Sequence, residues 1–243
     1  MFEKRLQTVQ RPESRDRILD MFHSVAKRYD LANTVMSFGR HYAWKDFVAE
    51  QANLREGSQA LDCCAGTMDV TLRLARRVGK SGHVWALDMN SSMLAVGEMK
   101  LAQQGLSERV TVIQGDAHVP DLPEESLDAV TIATSARHLY LDKAFQNWYR
   151  LLKPGGRLVI LEFYLPRNKA IRSAYDLYSY TLMPKLATWI THDKTGVYYY
   201  LPDSIRVFYS PNGLKELMED CGFKNVRYHP LTFNVAGVHV GEK

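Results

Sequence analysis

The chain has 243 residues, of which 46% are apolar and 24% are charged, and its formal net charge is +4. This composition is typical of a globular protein and excludes a disordered or fibrous chain. The modest charge, carried by scattered basic residues, argues against a dedicated nucleic-acid-binding protein. No apolar run approaches the ~18 residues of a membrane span, and the polar first residues give no sign of a secretory signal.

Cysteine usage points to a reducing compartment. Cys63, Cys64 and Cys221 offer neither a disulfide framework nor the spacing of a metal site. We therefore expect a cytoplasmic protein without a bound metal. The adjacent Cys63 and Cys64 suggest either redox or metal chemistry or, as is more common at a strand end, small buried side chains.

Two amphipathic stripes at the start of the chain predict a helical cap over residues 1–55. The first stripe contains Ile18, Leu19, Phe22, Val25 and Ala26, and the second lies within residues 42–52. Such a cap either covers a ligand site or packs as an ordinary layer on the core.

The next stretch, residues 58–69 (SQALDCCAGTMD), predicts the first strand, turn and helix of an α/β sheet. An apolar run ends in Asp62, a turn of small residues follows, and Asp69 begins a helical pattern. In nucleotide-binding sheets the ligand lies over the carboxyl end of this strand. A second apolar run ends in Asp88, whose carboxylate is placed to bind the two hydroxyls of a ribose. Because Gly66 is the only glycine of the turn, an ordinary turn without a ligand is the alternative.

Strands and helices then alternate, which predicts a mostly parallel sheet with right-handed crossovers. We expect strands at 83–87, 109–113, 127–133 and 157–163, helices at 91–104 and 142–152, and a break at 153–156 (KPGG). A tyrosine-rich helical insertion follows at 164–210; it lines a pocket for an apolar ligand, forms a homodimer surface or belongs to the core. A helix over 211–221 and two paired antiparallel strands end the chain.

Several stretches together resemble the quinone C-methyltransferases of menaquinone and ubiquinone biosynthesis. They are 22–33 (FHSVAKRYDLAN), 36–45 (MSFGRHYAWK), 151–163 (LLKPGGRLVILEF), 199–206 (YYLPDSIR) and 238–241 (VHVG). The resemblance covers residues 18–241. It implies an α/β class I methyltransferase domain over 1–243, with a Rossmann-like, seven-stranded, mostly parallel sheet, an antiparallel C-terminal strand and the helical cap. Its parts are the cap (1–55), the cofactor-binding core (56–163), the insertion (164–210) and the C-terminal helix with its strand pair (211–243).

The resemblance also implies S-adenosylmethionine as the cofactor and assigns residues to it. The backbone of the turn and Thr67 contact its methionine part, Asp88 its ribose, and Asp116 and Ala117 its adenine. Tyr29, Arg137 and His138 face the quinol ring, although an ion pair with an acidic residue is an equal alternative for Arg137. The full set of expected cofactor residues is Cys63, Cys64, Ala65, Gly66, Thr67, Asp88, Met89, Asp116, Ala117 and Thr134.

Three segments depart from the family pattern. Residues 64–69 are CAGTMD where the family has AGGTGD, residues 134–138 are TSARH where it has FGIRN, and Phe233-Asn234 replaces a Gly-Gly pair. If Met68 needs a positive φ or crowds the carboxylate, cofactor affinity should suffer. His138 replaces asparagine and is either a neutral hydrogen-bonding substitute or a proton acceptor. We expect Phe233 and Asn234 to reshape one wall of the same pocket.

The predicted function is methylation of a prenylated quinol, most simply demethylmenaquinol. The alternatives are a relative that acts on another aromatic metabolite and a non-catalytic binding or assembly protein with a relic cofactor site. Because a prenylated substrate lies in the bilayer, we expect peripheral contact with the inner face of the membrane through the cap or the insertion.

Overall fold

A computed structural model describes residues 14–243, which form one seven-stranded sheet with helices on both faces. The elements follow the chain as α1 (Arg15–Val25), α2 (Tyr29–Met36), α3 (Arg40–Gln51), β1 (Gln59–Cys63), α4 (Asp69–Arg77), β2 (His83–Asp88), α5 (Ser91–Gln103), β3 (Val110–Gln114), β4 (Leu127–Ala133), α6 (Leu141–Leu151), β5 (Leu152–Phe163), α7 (Lys169–Leu177), a π-helical segment (Tyr178–Leu182), α8 (Met183–Thr191), α9 (Val197–Val207), α10 (Pro211–Asp220), β6 (Lys224–Leu231) and β7 (Ala236–Glu242).

The strand order is β3-β2-β1-β4-β5-β7-β6. Strands β1 to β5 are parallel, and β7 is inserted antiparallel between β5 and β6. The order reverses between β1 and β4, and a crevice for a ligand forms at such a reversal, beyond the carboxyl ends of the strands. This topology confirms the predicted class I methyltransferase fold.

The prediction for the start of β5 was wrong. The strand begins at Leu152, which pairs with Leu127, and the register then jumps so that Ala129 pairs with Arg157. The Lys-Pro-Gly-Gly turn therefore bulges out of a longer strand instead of preceding a shorter one. Gly155 takes the positive φ of 80° that this turn requires.

Two hydrophobic clusters fill the faces of the sheet, and a third joins the cap to the insertion. The third contains Met21 and Val25 of α1, Ala187 and Ile190 of α8, and Tyr198 of α9. One side of α1 is therefore packed core, as one of the two interpretations of the cap requires. Its other side carries Ile18, Leu19 and Phe22, which line a cavity, as the other interpretation requires.

Large apolar side chains remain exposed on the insertion and on the cap. Trp189 is 74% exposed, Leu177 67% and Phe38 82%. Within residues 14–243, no helix combines the length and the apolar character needed to cross a membrane.

Candidate functional site

A cavity of about 560 Å³ lies beyond the carboxyl ends of β1 to β4, at the reversal of strand order. Helix α1 borders it on the cap side. Nine of the ten residues expected to bind the cofactor line it: Cys64, Ala65, Gly66, Thr67, Asp88, Met89, Asp116, Ala117 and Thr134. The tenth residue, Cys63, does not line the cavity. As the last residue of β1 it is fully buried, and it packs in the hydrophobic cluster on one face of the sheet.

The turn after β1 needs a left-handed backbone at one of its two lost glycines, Met68, but not at the other, Ala65. Cys64, Gly66 and Met68 have φ values of 53°, 55° and 62°. Met68 therefore does need the left-handed conformation, at a cost of order 1–3 kcal/mol. Its side chain is fully buried and does not line the cavity. It packs instead on Gly97 of α5, where an added Cβ would lie 2.4 Å from the Met68 Cγ. Met68 thus leaves the cofactor cavity uncrowded.

Three carboxylates line the cavity at the ends of the first three strands. Asp62 accepts hydroxyl hydrogen bonds from Thr71 (2.6 Å) and Thr131 (2.7 Å), and burial raises its pKa to about 6. Asp88 accepts backbone N–H bonds from Gly66 and Asn90, both at 2.8 Å. Burial raises the pKa of Asp88, although these bonds favour its charged form.

Asp116 lies at the end of β3, with its carboxylate partly exposed. Its Oδ1 is 2.6 Å from His118 Nδ1 and accepts the backbone N–H of His118 at 2.9 Å. Partial burial opposes ionisation, but the bonds from His118 outweigh it and lower the pKa of Asp116. Arg15 of α1 lies 3.7 Å away, so that the cap closes over this end of the cavity.

A cluster of two lysines and two aspartates borders the larger cavity beside the turn after β1, and it was missed in the sequence. Lys45 donates to Asp69 at 2.7 Å, Lys100 contacts the other oxygen of Asp69, and Lys100 also donates to Asp30 at 2.9 Å. Thr67 donates to Asp30 at 2.6 Å. Despite the burial penalty, the two lysines lower the pKa of Asp69 well below its usual range. Of the two lysines, only Lys45 lines the cavity.

A second cavity, of about 120 Å³, adjoins the first and is called here the ring cavity. Its walls are mostly aromatic and aliphatic side chains of the cap, the insertion and β5. Five residues line both cavities and so form their shared wall: Phe22, Tyr29, Lys45, Thr134 and His138.

The structure places Tyr29 and His138 on the shared wall but Arg137 on the ring cavity alone. The Arg137 guanidinium pairs with Glu162 Oε1 at 2.6 Å and donates to Ser204 Oγ at 3.2 Å and to the Thr134 carbonyl. Both side chains of the ion pair are buried. The expected ion pair of Arg137 with an acidic residue is therefore present.

Thr134, at the tip of β4, has a φ of 57°, which is strained for a β-branched residue. Its N–H donates to the Leu161 carbonyl at 2.7 Å. The strained residue turns the chain so that the short helix Ala136–His138 brings the His138 ring to the shared wall.

The third departure from the family pattern lies outside both cavities. Phe233 and Asn234 have φ values of 56° and 68°, which explains why glycines suit these positions. Phe233 is 76% exposed, whereas Asn234 borders a separate surface groove. The prediction that this pair reshapes a wall of the pocket was wrong.

Comparison with known proteins decides the family. A family model described as the ubiE/COQ5 methyltransferase family matches residues 10–243. The chain belongs to this family.

Curated relatives in the ubiE/COQ5 family match over nearly the whole chain. The protein named ubiquinone/menaquinone biosynthesis C-methyltransferase UbiE from Erwinia tasmaniensis is 40% identical over 237 residues, which are 97% of this chain and 94% of the relative. The protein of the same name from Pseudomonas putida is 42% identical over 235 residues, 96% and 91% of the two chains.

Solved methyltransferases share the fold at low sequence identity. An S-adenosylmethionine-dependent methyltransferase from Aquifex aeolicus superposes with a TM-score of 0.60 at 19% identity, covering 82% of this chain and 88% of that one. Phosphoethanolamine N-methyltransferase 2 from Haemonchus contortus, solved with S-adenosylmethionine, gives 0.57 at 17% identity over 78% and 49%.

The ubiE/COQ5 chain is thus an S-adenosylmethionine-dependent methyltransferase, and its larger cavity suits that cofactor. Asp88 and Asp116 supply acceptors for hydroxyl and amino groups, and the turn after β1 offers close backbone approach at Gly66. When bound, the cofactor supplies a methyl group on a positively charged sulfur.

Proposed function

We propose that the protein transfers a methyl group from S-adenosylmethionine to a ring carbon of a prenylated quinol, most simply converting demethylmenaquinol to menaquinol. The observation that carries the proposal is the shared wall, because it brings an aromatic cavity against the cofactor cavity. Methyl transfer requires an in-line approach at contact distance, which such adjoining sites provide. The names of the curated relatives supply the acceptor class.

The lining of the ring cavity favours an uncharged aromatic acceptor. Within residues 14–243, no aspartate or glutamate lines this cavity, and both of its cations, Lys45 and Arg137, are paired with acids. Aromatic rings line it instead, among them Phe22, Phe163 and Tyr178. An amine acceptor would find no carboxylate here, whereas a flat ring gains about 0.5–1.5 kcal/mol from each well-placed aromatic neighbour.

Two residues of the shared wall are assigned to the acceptor's protons. Burial raises the pKa of Tyr29, so its phenol stays protonated and serves as a hydrogen-bonding group. Burial, with the charge of Arg137, holds the pKa of His138 well below its usual range, so its imidazole is neutral. The buried Nε2 of His138 has no hydrogen-bond partner, and Nδ1 is 3.4 Å from the Tyr200 hydroxyl. A neutral imidazole in this place can take up the proton that the methylated ring loses.

Arg137 has a positioning role in this proposal. Its backbone N–H and its guanidinium both hold Glu162, at 3.2 and 2.6 Å, and thereby fix the segment that carries His138. Its positive charge also keeps His138 neutral, so it acts on the reaction through that residue.

The exposed apolar side chains of the cap and the insertion suit peripheral contact with a membrane that holds the substrate. Phe38 packs near Tyr178 at a ring-centroid distance of 6.1 Å, and Leu182 and Trp189 are 57% and 74% exposed. Tyr178 also lines the ring cavity, so this surface adjoins the acceptor site. Flotation with liposomes should recover the protein with the lipid, and Phe38→Ser with Trp189→Ser should return it to the soluble fraction. Wild-type protein that stays wholly soluble contradicts the contact.

The proposed reaction is tested by anaerobic turnover with S-adenosylmethionine and a short-tailed demethylmenaquinol, with the product followed by mass spectrometry. A singly methylated ring and stoichiometric S-adenosylhomocysteine are expected. A prenylated benzoquinol and a tail-less hydroxylated aromatic compound, run in parallel, separate the menaquinone reaction from the ubiquinone reaction and from a different aromatic acceptor. Tight cofactor binding without methylation of either prenylated quinol would reject the proposal.

A further inference from the structure

His41 is a buried histidine of α3 that has no part in the reaction described so far. Only 5% of it is exposed, and its ring belongs to the wall of the ring cavity, away from the shared wall. Its Nε2 lies 3.1 Å from Thr34 Oγ1, whereas its Nδ1 is buried without a hydrogen-bond partner. An unpaired buried polar atom costs about 1–3 kcal/mol, so its survival calls for an explanation.

The contacts of Thr34 decide which nitrogen of His41 carries the proton. Thr34 Oγ1 has one hydrogen, and it donates that hydrogen to the Asp30 carbonyl at 2.8 Å. The remaining partners of Oγ1, His41 Nε2 at 3.1 Å and the Tyr42 hydroxyl at 3.0 Å, must then both donate to it. Nε2 of His41 therefore carries the hydrogen, and Nδ1 is left as a bare lone pair.

The surroundings keep this imidazole neutral. Burial, together with the positive charge of Lys45, lowers the pKa of His41 to about 4. The charges of Asp69 and Asp30 raise it by less, and Arg73 adds to the lowering. At neutral pH, Nδ1 can accept a hydrogen bond but cannot donate one. It therefore suits a hydroxyl group and repels a carbonyl oxygen.

We propose that His41 Nδ1 accepts a hydrogen bond from a ring hydroxyl of the acceptor, so that the site binds the reduced, hydroxyl-bearing ring in preference to the oxidised dicarbonyl ring. This inference rests on the proposed function and adds the residue that distinguishes the two oxidation states. Nδ1 itself is inaccessible to solvent although His41 lines the ring cavity, so a ring hydroxyl reaches it only if the entering ring widens the cavity at this wall.

The experiment measures binding of 1,4-naphthoquinol, kept reduced by dithionite, and of 1,4-naphthoquinone to the protein saturated with S-adenosylhomocysteine. Anaerobic calorimetry gives both dissociation constants. We expect the wild type to bind the quinol at least about tenfold more tightly than the quinone, because the quinone leaves Nδ1 facing a second acceptor.

Two substitutions at the same position separate the two ring nitrogens. His41→Asn places an amide near the position of Nδ1 and should keep the binding of the quinol, but because an amide can also donate to a carbonyl it should tighten the binding of the quinone. His41→Gln places the amide near Nε2, retains the Thr34 contact and should reduce the preference to within about threefold. Thr34→Val removes the group that fixes the tautomer and should weaken the preference without altering the ring.

His239 is the matched control, because burial also lowers its pKa to about 4 but both of its nitrogens have partners, the Tyr164 hydroxyl at 3.1 Å and the Pro211 carbonyl at 2.8 Å. His239→Asn should lower the thermal midpoint and leave the ratio of the two dissociation constants unchanged. Two results would overturn the inference but not the proposed function. One is an unchanged ratio of the two dissociation constants in folded His41→Gln, and the other is equal binding of the two rings by a wild type that methylates the quinol. Binding of neither ring, with the cofactor still bound, overturns it together with the proposed function.

Discussion

The turn after β1 and the ring cavity both contain a departure from the family pattern, at Met68 and at His138, but the two regions differ in whether their buried groups are satisfied. In the turn, Met68 takes a left-handed conformation, and its side chain fills the space that the missing side chain of Gly97 leaves. The protein's own packing therefore accommodates the substitution. In the ring cavity, His41 Nδ1 and His138 Nε2 are buried without partners. In the turn, packing alone accounts for the substituted side chain. In the ring cavity, two ring nitrogens have no hydrogen-bond partner. Unused polar atoms beside a cavity therefore indicate the ligand better than a changed loop sequence does.

The largest expected effect is the loss of cofactor affinity in a variant of the larger cavity, where the carboxylate of Asp88 already has protein hydrogen-bond partners. Asp88→Ala removes the carboxylate that we expect to accept the ribose hydroxyls, and it leaves the N–H groups of Gly66 and Asn90 without their partner. Each charge-assisted bond contributes about 1.5–3 kcal/mol, so affinity for S-adenosylmethionine should fall by at least about 100-fold in calorimetry.

Asp128→Ala is the control for Asp88→Ala. Asp128 also accepts a backbone N–H, from Gln59 at 2.7 Å, but it lies at the opposite edge of the sheet. Asp128→Ala should lower the free energy of unfolding and leave the affinity for S-adenosylmethionine unchanged. Equal losses in the two variants would show that the Asp88 effect is general destabilisation.

The next largest effect is expected in the ring cavity, where the buried Nε2 of His138 has no hydrogen-bond partner in the protein. If His138 is the proton acceptor, His138→Asn should lower kcat by about 10²-fold, the lower end of the range for general bases. Because burial and Arg137 keep the pKa of His138 well below 6.5, wild-type kcat should not fall as the pH is lowered through 6.5. Affinity for S-adenosylmethionine should be unchanged. Unaltered turnover and pH profile in His138→Asn would assign the residue as a neutral replacement for asparagine.

Most of the fold could be predicted because its elements carry local signals. Alternating apolar runs and capped helices predicted seven strands, parallel except for the pair at the end of the chain. The rule that a ligand lies at the carboxyl ends of parallel strands predicted the place of the cavity, whereas the ten expected cofactor residues came from the family resemblance, and nine of them line that cavity. The start of β5 could not be predicted, because a Lys-Pro-Gly-Gly sequence normally marks the end of a strand. Here it forms a bulge, and β5 pairs with β4 on both sides of it.

The residues missed at the site depend on contacts between distant segments. Lys45 and Lys100 meet Asp69 from two different helices, and the tautomer of His41 depends on a threonine of α2. One signal was available in the sequence. Glu162 stands in an apolar strand, and a buried carboxylate needs a cation, so a partner such as Arg137 could have been inferred.

The smallest of the three effects is a loss of stability, and it concerns the packing of Met68 against Gly97. In Gly97→Ala the new Cβ would lie 2.4 Å from Met68 Cγ and 2.6 Å from Sδ. Overpacking of this kind costs about 1–3 kcal/mol, which exceeds the ~1 kcal/mol that alanine gains over glycine in a helix. The net loss in the free energy of unfolding should be about 0–2 kcal/mol in urea titrations.

Met68→Gly should itself destabilise by leaving a cavity, at about 2–5 kcal/mol, partly offset by release of the left-handed strain. In the double variant the alanine methyl enters space that the methionine vacates, and the overpacking disappears. The losses of the two single variants should therefore sum to about 1–3 kcal/mol more than the loss of the double variant. Additive losses would contradict the match. Since Met68 does not line the cofactor cavity, Met68→Gly should leave the affinity for S-adenosylmethionine unchanged. A gain in affinity would mean instead that Met68 constrains the turn against the cofactor.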